Sequence, residues 1–247
     1  MKKIIALTLC LLMLGAVLAG CGKQVVSSGT TSKVEQSETE ASTETKKQVE
    51  SGDYSMVLSG SITNLSEVPA ADLSAIDTDY QNAAPKAGDV VAVLHTNHGD
   101  ISMKFFPEVA PMAVNNFIAL AKAGKYDNTI FHRVIKDFMN QGGDYTNFDG
   151  TGGESIYGEN FGYEICDYTL NNRGSVAMAH SSLPDSNGSQ FYINQANNNW
   201  LDGDYTVFGQ VYDGMDVVDE INSVETGAND KPVEDVVLTS VEIKTFE

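Results

Sequence analysis

The chain has 247 residues, 20% of them charged, and a formal net charge of −19. So acidic a balance excludes a nucleic-acid binder, whose phosphate contacts need basic patches, and a polybasic grip on anionic lipid. Without the N-terminal Lys2 and Lys3 the balance drops from −19 to −21, which favours solubility. Of the three cysteines, Cys10 and Cys21 fall in the first 21 residues and Cys166 stands alone in the globular part. A lone cysteine closes no internal disulfide, so the fold must stand on its core, and Cys166 reads as a small packed residue.

Residues 1–20 read as a signal sequence: Lys2 and Lys3, an apolar run from Ile4 to Leu18, then small residues. The run is short for a membrane-spanning helix, which needs about 20 apolar residues. Leu18-Ala19-Gly20-Cys21 resembles the bacterial lipobox. In proteins that carry it the leader is cleaved before the cysteine, and the cysteine carries lipid. The expectation is an extracytoplasmic protein held on a bacterial cell membrane through lipid on Cys21. Residues 21–52 are rich in Ser, Thr, Glu, Gln and Lys and hold no aromatic residue. They cannot bury enough surface to offset chain entropy, so a disordered tether is expected.

Residues 53–86 are less regular. Tyr54, Met56 and Leu58 alternate as in a short strand, but Ser, Asn, Pro and Asp break any pattern after residue 58. This stretch reads as an irregular arm with no functional reading. From residue 87 onward one globular domain is expected, long enough to bury a real core. Residues 89–96 and 101–106 read as strands around the hairpin signal Asn97-His98-Gly99-Asp100. His95 and His98 are too poorly aligned for a metal pair, because strand periodicity sends them to opposite faces and no third ligand stands near; they read as surface histidines.

A helix is expected over residues 110–126. Pro111 suits its first turn, Val114, Phe117, Ile118 and Ala121 form one apolar face, and Gly124 suits its end. A second helix is expected at Met215–Asn222, with Val217, Val218 and Ile221 inward. The remainder is short strands and Gly/Asn/Asp turns, ending in a strand over residues 236–244. This pattern predicts a mainly β fold, a closed antiparallel barrel with two helices.

Residues 131–144, FHRVIKDFMNQGGD, combine a guanidinium, an amide, large apolar side chains and a Gly-Gly break. Arg133 gains weight from scarcity, since the chain has only one other arginine, Arg173. The stretch resembles the signature of the cyclophilin family of peptidyl-prolyl cis-trans isomerases. Further matches come in register: GTGGESIYGENF (150–161), VAMAH (176–180), SNGSQFYI (186–193) and NWLDGDYTVFGQV (199–211). The resemblance covers residues from about 89 to the C-terminus. It implies an eight-stranded antiparallel barrel with a helix capping each end.

It also implies an activity with a simple chemical demand. Rotation about a peptide bond faces a barrier of about 18–20 kcal/mol, because resonance gives C–N double-bond character. A catalyst needs no cofactor, metal or nucleophile; it must bind the twisted amide more tightly than the planar one. By resemblance Arg133 is the catalytic donor aimed at the proline nitrogen, a role that suits a permanently charged, rigid fork. Gln141 helps orient Arg133 and the substrate carbonyl. Phe138, Met139, Phe191 and Leu201 match the proline pocket, with Ile135 nearby. Ala179 and His180 match the segment along which the substrate backbone lies, Gly150 and Gln190 a neighbouring subsite, and Trp200 a rim position that contacts cyclosporin-type ligands. The implied partners are proline-containing exported polypeptides, bound by a monomer.

Two departures bear on specificity. Tyr205 stands where the best-known members have histidine; tyrosine still offers ring packing and a hydroxyl donor. The stretch His180-Ser181-Ser182-Leu183-Pro184-Asp185 is one residue longer than the usual Asn-Ala-Gly-Pro-Asn. Rival readings are weaker. Taken singly, Phe138, Met139, Phe191 and Leu201 read as core. Gly150-Thr151-Gly152-Gly153 lacks the Lys-Ser/Thr of a phosphate loop. No Ser or Cys nucleophile motif accompanies His132, which argues against a hydrolase. The second functional reading is a peptide-binding, chaperone-like module that uses the same groove with incidental catalysis.

Overall fold

The hairpin that opens the domain follows from alternation. β1 (Val90–Thr96) and β2 (Gly99–Phe105) pair antiparallel, with Leu94 opposite Ile101 and Thr96 opposite Gly99. Ile101, Met103 and Phe105 turn inward while Ser102 and Lys104 face out. Gly99 closes the two-residue link at φ 131, where a Cβ would also lie 2.9 Å from Val217 Cγ2. Glycine therefore serves both the turn and the close packing of the helix behind it.

The computed structural model describes residues 52–247. The expected signal sequence, the lipobox at Cys21 and the tether up to residue 51 lie outside the described residues. Seven more strands complete the sheet: β3 (Thr129–Ile130), β4 (Arg133–Ile135), β5 (Met139–Gly142), β6 (Ser175–Met178), β7 (Phe191–Asn194), β8 (Val207–Asp213) and β9 (Val237–Thr245). All pair antiparallel in one sheet, in the order β3-β9-β1-β2-β8-β6-β7-β5-β4. Its two edge strands, β3 and β4, are separated in the chain by only Phe131 and His132. The sheet therefore curls until its edges meet through the chain.

Nine strands stand where eight were expected. The chain breaks at Phe131-His132, so Thr129–Ile130 pairs with β9 and Arg133–Ile135 with β5. The expected mainly β, barrel-like architecture is present as a curled antiparallel sheet whose ladder stays open between β3 and β4.

Three α-helices accompany the sheet: α1 (Ser55–Ser59), α2 (Pro111–Lys122) and α3 (Met215–Asn222). α2 starts at Pro111, and the remote Glu164 carboxylate accepts from the backbone N–H groups of Met112 and Ala113, both at 2.9 Å. It thereby satisfies two donors that a helix start leaves free. Gly124, at φ 67, ends the turn, with Lys125 N–H donating to Leu120 O at 2.9 Å. The predicted face Val114, Phe117, Ile118 and Ala121 is buried, and so are Ala113, Asn115, Asn116, Ala119 and Leu120.

The arm explains this second buried face. The alternation of Tyr54, Met56 and Leu58 predicts a strand, yet Ser55–Ser59 is helical, with Val57 fully buried and Met56 56% exposed. Burial of Val57 against the core outweighs a three-residue alternation. Gly60 ends α1 against α2, where a Cβ would lie 2.7 Å from Ile118 Cγ2 and 2.8 Å from Ala119 N. Asn115 then pairs with both backbone groups of Ile62, at 3.1 and 2.7 Å. Farther along, Gln81 pairs with both backbone groups of Leu170, at 2.9 and 2.7 Å. Residues 53–86 are thus built into the fold by buried apolar contact and satisfied polar groups. The core itself centres on Phe117, whose ring lies 5.0–5.8 Å from Tyr126, Phe191, Phe208 and Phe105.

Candidate active site

The signature stretch folds into the β4–β5 hairpin. Its register sets Arg133 opposite Gln141 and Ile135 opposite Met139, so residues eight apart in sequence share one face. Asp137 takes φ 58 at the tip, and Phe138 N–H donates to Ile135 O at 3.1 Å. Asn222, at the end of α3, holds the tip from behind. It accepts from Asp137 N–H at 2.8 Å and donates to Ile135 O at 2.9 Å.

A cavity of about 270 Å³ opens above this hairpin, lined by Arg133, Phe138, Met139, Gln141, Ala179, His180, Tyr192, Trp200, Leu201 and Tyr205. The structure thus brings together nine residues that the sequence places in the site and adds Tyr192. Met139 and Leu201 are buried at its base. Trp200, 71% exposed, stacks on Phe138 with centroids 5.3 Å apart and planes at 28°. Arg133 is the one cation among these lining residues.

A chain of polar contacts holds the guanidinium. Arg133 Nη1 donates to Gln141 Oε1 at 3.5 Å, and Arg133 Nε faces Asp230 Oδ2 at 3.5 Å. Gln141 Nε2 donates to Gln190 Oε1 at 2.9 Å, and Gln190 Nε2 donates to Gly150 O and Gly152 O at 2.9 and 2.8 Å. Asp230 sits in a turn where it and Asn229 both adopt left-handed φ, 58 and 60, a conformation uncommon outside glycine. Gly150 and Gln190 line an adjoining cavity of about 650 Å³, which shares Gln141, Ala179 and His180 with the first.

Two placements differ from the sequence reading. Phe191 is not a wall of the cavity. Strand alternation on β7 sends Gln190 and Tyr192 to the cleft and Phe191 and Ile193 to the core, where the Phe191 ring meets Phe117, Tyr126 and Phe131 edge-on. Tyr192 takes the cavity position instead, its hydroxyl donating to Asn171 Oδ1 at 2.7 Å. The alternation of Gln-Phe-Tyr-Ile carried this signal. Ile135 is half-buried on the Arg133 face of β4 but does not line the cavity.

Two further residues were given no place in the site by the sequence reading. Asp144 closes the signature stretch and is fully buried. Its carboxylate accepts from the backbone N–H groups of Thr146, Asn147, Gly150 and Gly152 at 2.9–3.1 Å. Burial raises its pKa, but these amides together outweigh burial and hold the carboxyl well below its ordinary range. Asp144 thereby shapes the loop that presents Gly150. His132 is 5% exposed, and neither ring nitrogen has a partner. Burial lowers its pKa, so the ring is held neutral beside Arg133.

His180 and Tyr205, the two departures, meet. Their rings stack at 4.2 Å and 26°, and the His180 nitrogens lie 2.7 Å from Ser181 O and 2.9 Å from Asp204 O. His95 and His98 are engaged by carboxylates, Asp100 at 2.8 Å and Glu220 at 2.9 Å.

Comparison with known proteins assigns the chain to a family. Residues 91–243 match the family described as cyclophilin type peptidyl-prolyl cis-trans isomerase/CLD. The chain is 49% identical over 153 residues to peptidyl-prolyl cis-trans isomerase 9 of Schizosaccharomyces pombe, covering 62% of this chain and 25% of that protein. It is 42% identical over 177 residues to peptidyl-prolyl cis-trans isomerase CYP71 of Arabidopsis thaliana, covering 72% of this chain and 28% of that protein. These two relatives are much longer, and the chain spans about a quarter of each. A putative peptidyl-prolyl cis-trans isomerase of Staphylococcus aureus is 40% identical over 191 residues, with 66% of this chain and 96% of that protein covered. A solved Cryptosporidium parvum cyclophilin type isomerase, crystallised in the presence of the dipeptide Ala-Pro, superposes with a TM-score of 0.61 at 37% identity, covering 63% of this chain and 99% of that one. The chain belongs to the cyclophilin type peptidyl-prolyl cis-trans isomerase family.

Proposed function

We propose that the chain catalyses cis-trans rotation of X–Pro bonds in exported polypeptides. One observation carries this reading: the guanidinium of Arg133, tethered by Gln141 and Asp230, faces a cavity whose other walls are mostly aromatic and aliphatic. The proline ring enters between Phe138, Met139, Leu201 and Tyr192. As the amide twists, its nitrogen becomes pyramidal and regains a lone pair, and Arg133 donates to it. Gln141 holds the guanidinium and meets the substrate carbonyl. Because the donors are placed before the amide twists, stabilisation falls on the twisted state. A cyclosporin-type ligand in the groove would meet Trp200, which is exposed on the rim. The direct test is exchange spectroscopy on a proline-containing tetrapeptide. Acceleration by catalytic amounts of protein is expected, and an unchanged exchange rate with folded protein would overturn the reading.

The place of action rests on the N-terminal sequence. A lipid on Cys21 would hold the protein on the outer face of a bacterial cell membrane, and residues 22–52 would let the domain reach emerging chains. Among the described residues no helix is long and apolar enough to cross a membrane. Cys21→Ser is expected to move the protein from the membrane fraction to the soluble one; unchanged membrane retention would contradict the anchor.

A further inference from the structure

Beyond the proline cavity, beside a mostly polar adjoining cavity, two large apolar side chains are exposed. Tyr163 is 37% exposed and Leu183 67%. A single exposed leucine means little, but these two close a ladder of rings that begins in the site. Tyr192 meets Tyr205 edge-on at 5.7 Å, Tyr205 stacks on His180 at 4.2 Å, and His180 meets Tyr163 at 4.6 Å. The Tyr163 hydroxyl donates to Leu183 O at 3.1 Å. Serines tie the lengthened loop to itself: Ser186 Oγ donates to Leu183 O at 2.7 Å, and Leu183 N–H donates to Ser181 Oγ at 3.2 Å. His180 lines both the proline cavity and the adjoining one, and Leu183 lines the latter. The patch is therefore continuous with the groove and already ordered, so binding need not fix it.

We infer that Tyr163 and Leu183 form an outer subsite that takes a large apolar or aromatic side chain flanking the X–Pro pair. The inference rests on the isomerase reading for the groove it extends. The occupant is an extended polypeptide, as an unfolded client would supply, with a ring or branched side chain within a few residues of the proline. The His180–Tyr205 stack works as its back wall: it aims Tyr163 outward and carries the subsite onto the proline pocket.

The test uses the full-length chain and two peptides of equal length with one X–Pro pair each. One carries Phe at the second and third positions on both sides of the pair; the other carries Gly there. Affinity is read by nuclear magnetic resonance titration and rotation by exchange spectroscopy. Wild type is expected to bind the Phe peptide about 5-fold more tightly, as one added ring contact allows. In Tyr163→Ser and in Leu183→Ser the ratio is expected to fall towards 1. Leu183 is largely exposed, so that variant keeps the test sound if Tyr163→Ser folds poorly. Equal affinities in wild type, or a Phe preference untouched by both changes, would overturn the subsite. A Phe preference without acceleration of either peptide would leave the subsite standing and remove the isomerase reading.

Discussion

Asp144 and His132 lie on either side of the loop that carries Gly150, and both are buried in a single protonation state. A carboxyl whose folded pKa is depressed stabilises the fold above its unfolded value of about 3.9, and that stability is lost as pH falls through the folded value. Asp144→Asn is expected to cost about 2–3 kcal/mol at pH 7, since charge-assisted bonds to several amides go with it. The gap in melting temperature between wild type and variant should shrink below pH 4. A constant gap from pH 7 to pH 2 would contradict the role. His132 acts earlier on the acid side. Its folded pKa is also lowered, so the unfolded chain takes up a proton first, and stability is lost as pH falls below about 6.5. At this scale the sequence was readable where chemistry was distinctive, as at Arg133 and Gln141. It misled at Phe191 and Tyr192, because two adjacent aromatic residues differ only by strand phase, and the phase is fixed by pairing with β5 and β6.

The element whose place was least legible is the arm. α2 and α3 could be read from their periodicity and ends, and the first hairpin from its turn. The arm could not, because Val57 and Ile62 gain their meaning only against the second face of α2. That face was visible in retrospect, since the sequence of α2 from Pro111 to Ala121 contains no charged residue. A chain starting at residue 87 would leave the faces of Asn115 and Ala119 uncovered. It is expected to melt about 10 °C lower than one starting at residue 52, which corresponds to roughly 3–4 kcal/mol for a domain of this size. Equal melting temperatures would show that the arm only rests on the fold. The division between β3 and β4 was equally hidden. It depends on two different neighbours claiming adjacent segments, and no local pattern reports that.

Over the whole molecule, the acidic balance lies on the described part. Residues 52–247 carry 29 acidic and 9 basic side chains, a net charge of −20. Repulsion among them is screened over about 10 Å at 0.1 M salt. The protein is therefore expected to melt several degrees higher at 0.3 M salt than at 10 mM, and peptides with flanking Lys to bind better than those with flanking Glu at low salt only. Salt-independent melting and no charge preference would show that the charges are too dispersed to matter. The general fold and the groove were both present in the sequence as a series of motifs in register, whereas the open ladder between β3 and β4 was not.

The measurement that bears most directly on this account is X–Pro exchange in a tetrapeptide with wild type, Arg133→Ala and Arg133→Lys compared at equal folded concentration. On the proposed mechanism Arg133 donates to the twisted amide, so Arg133→Ala should lower kcat/KM about 10²–10³-fold, the usual loss when a preplaced donor is removed. Arg133→Lys should recover little, because an ammonium keeps the charge without the fork that Gln141 and Asp230 hold. Wild-type rates in a folded Arg133→Ala protein would contradict the account, because the groove alone would then be enough to turn the bond.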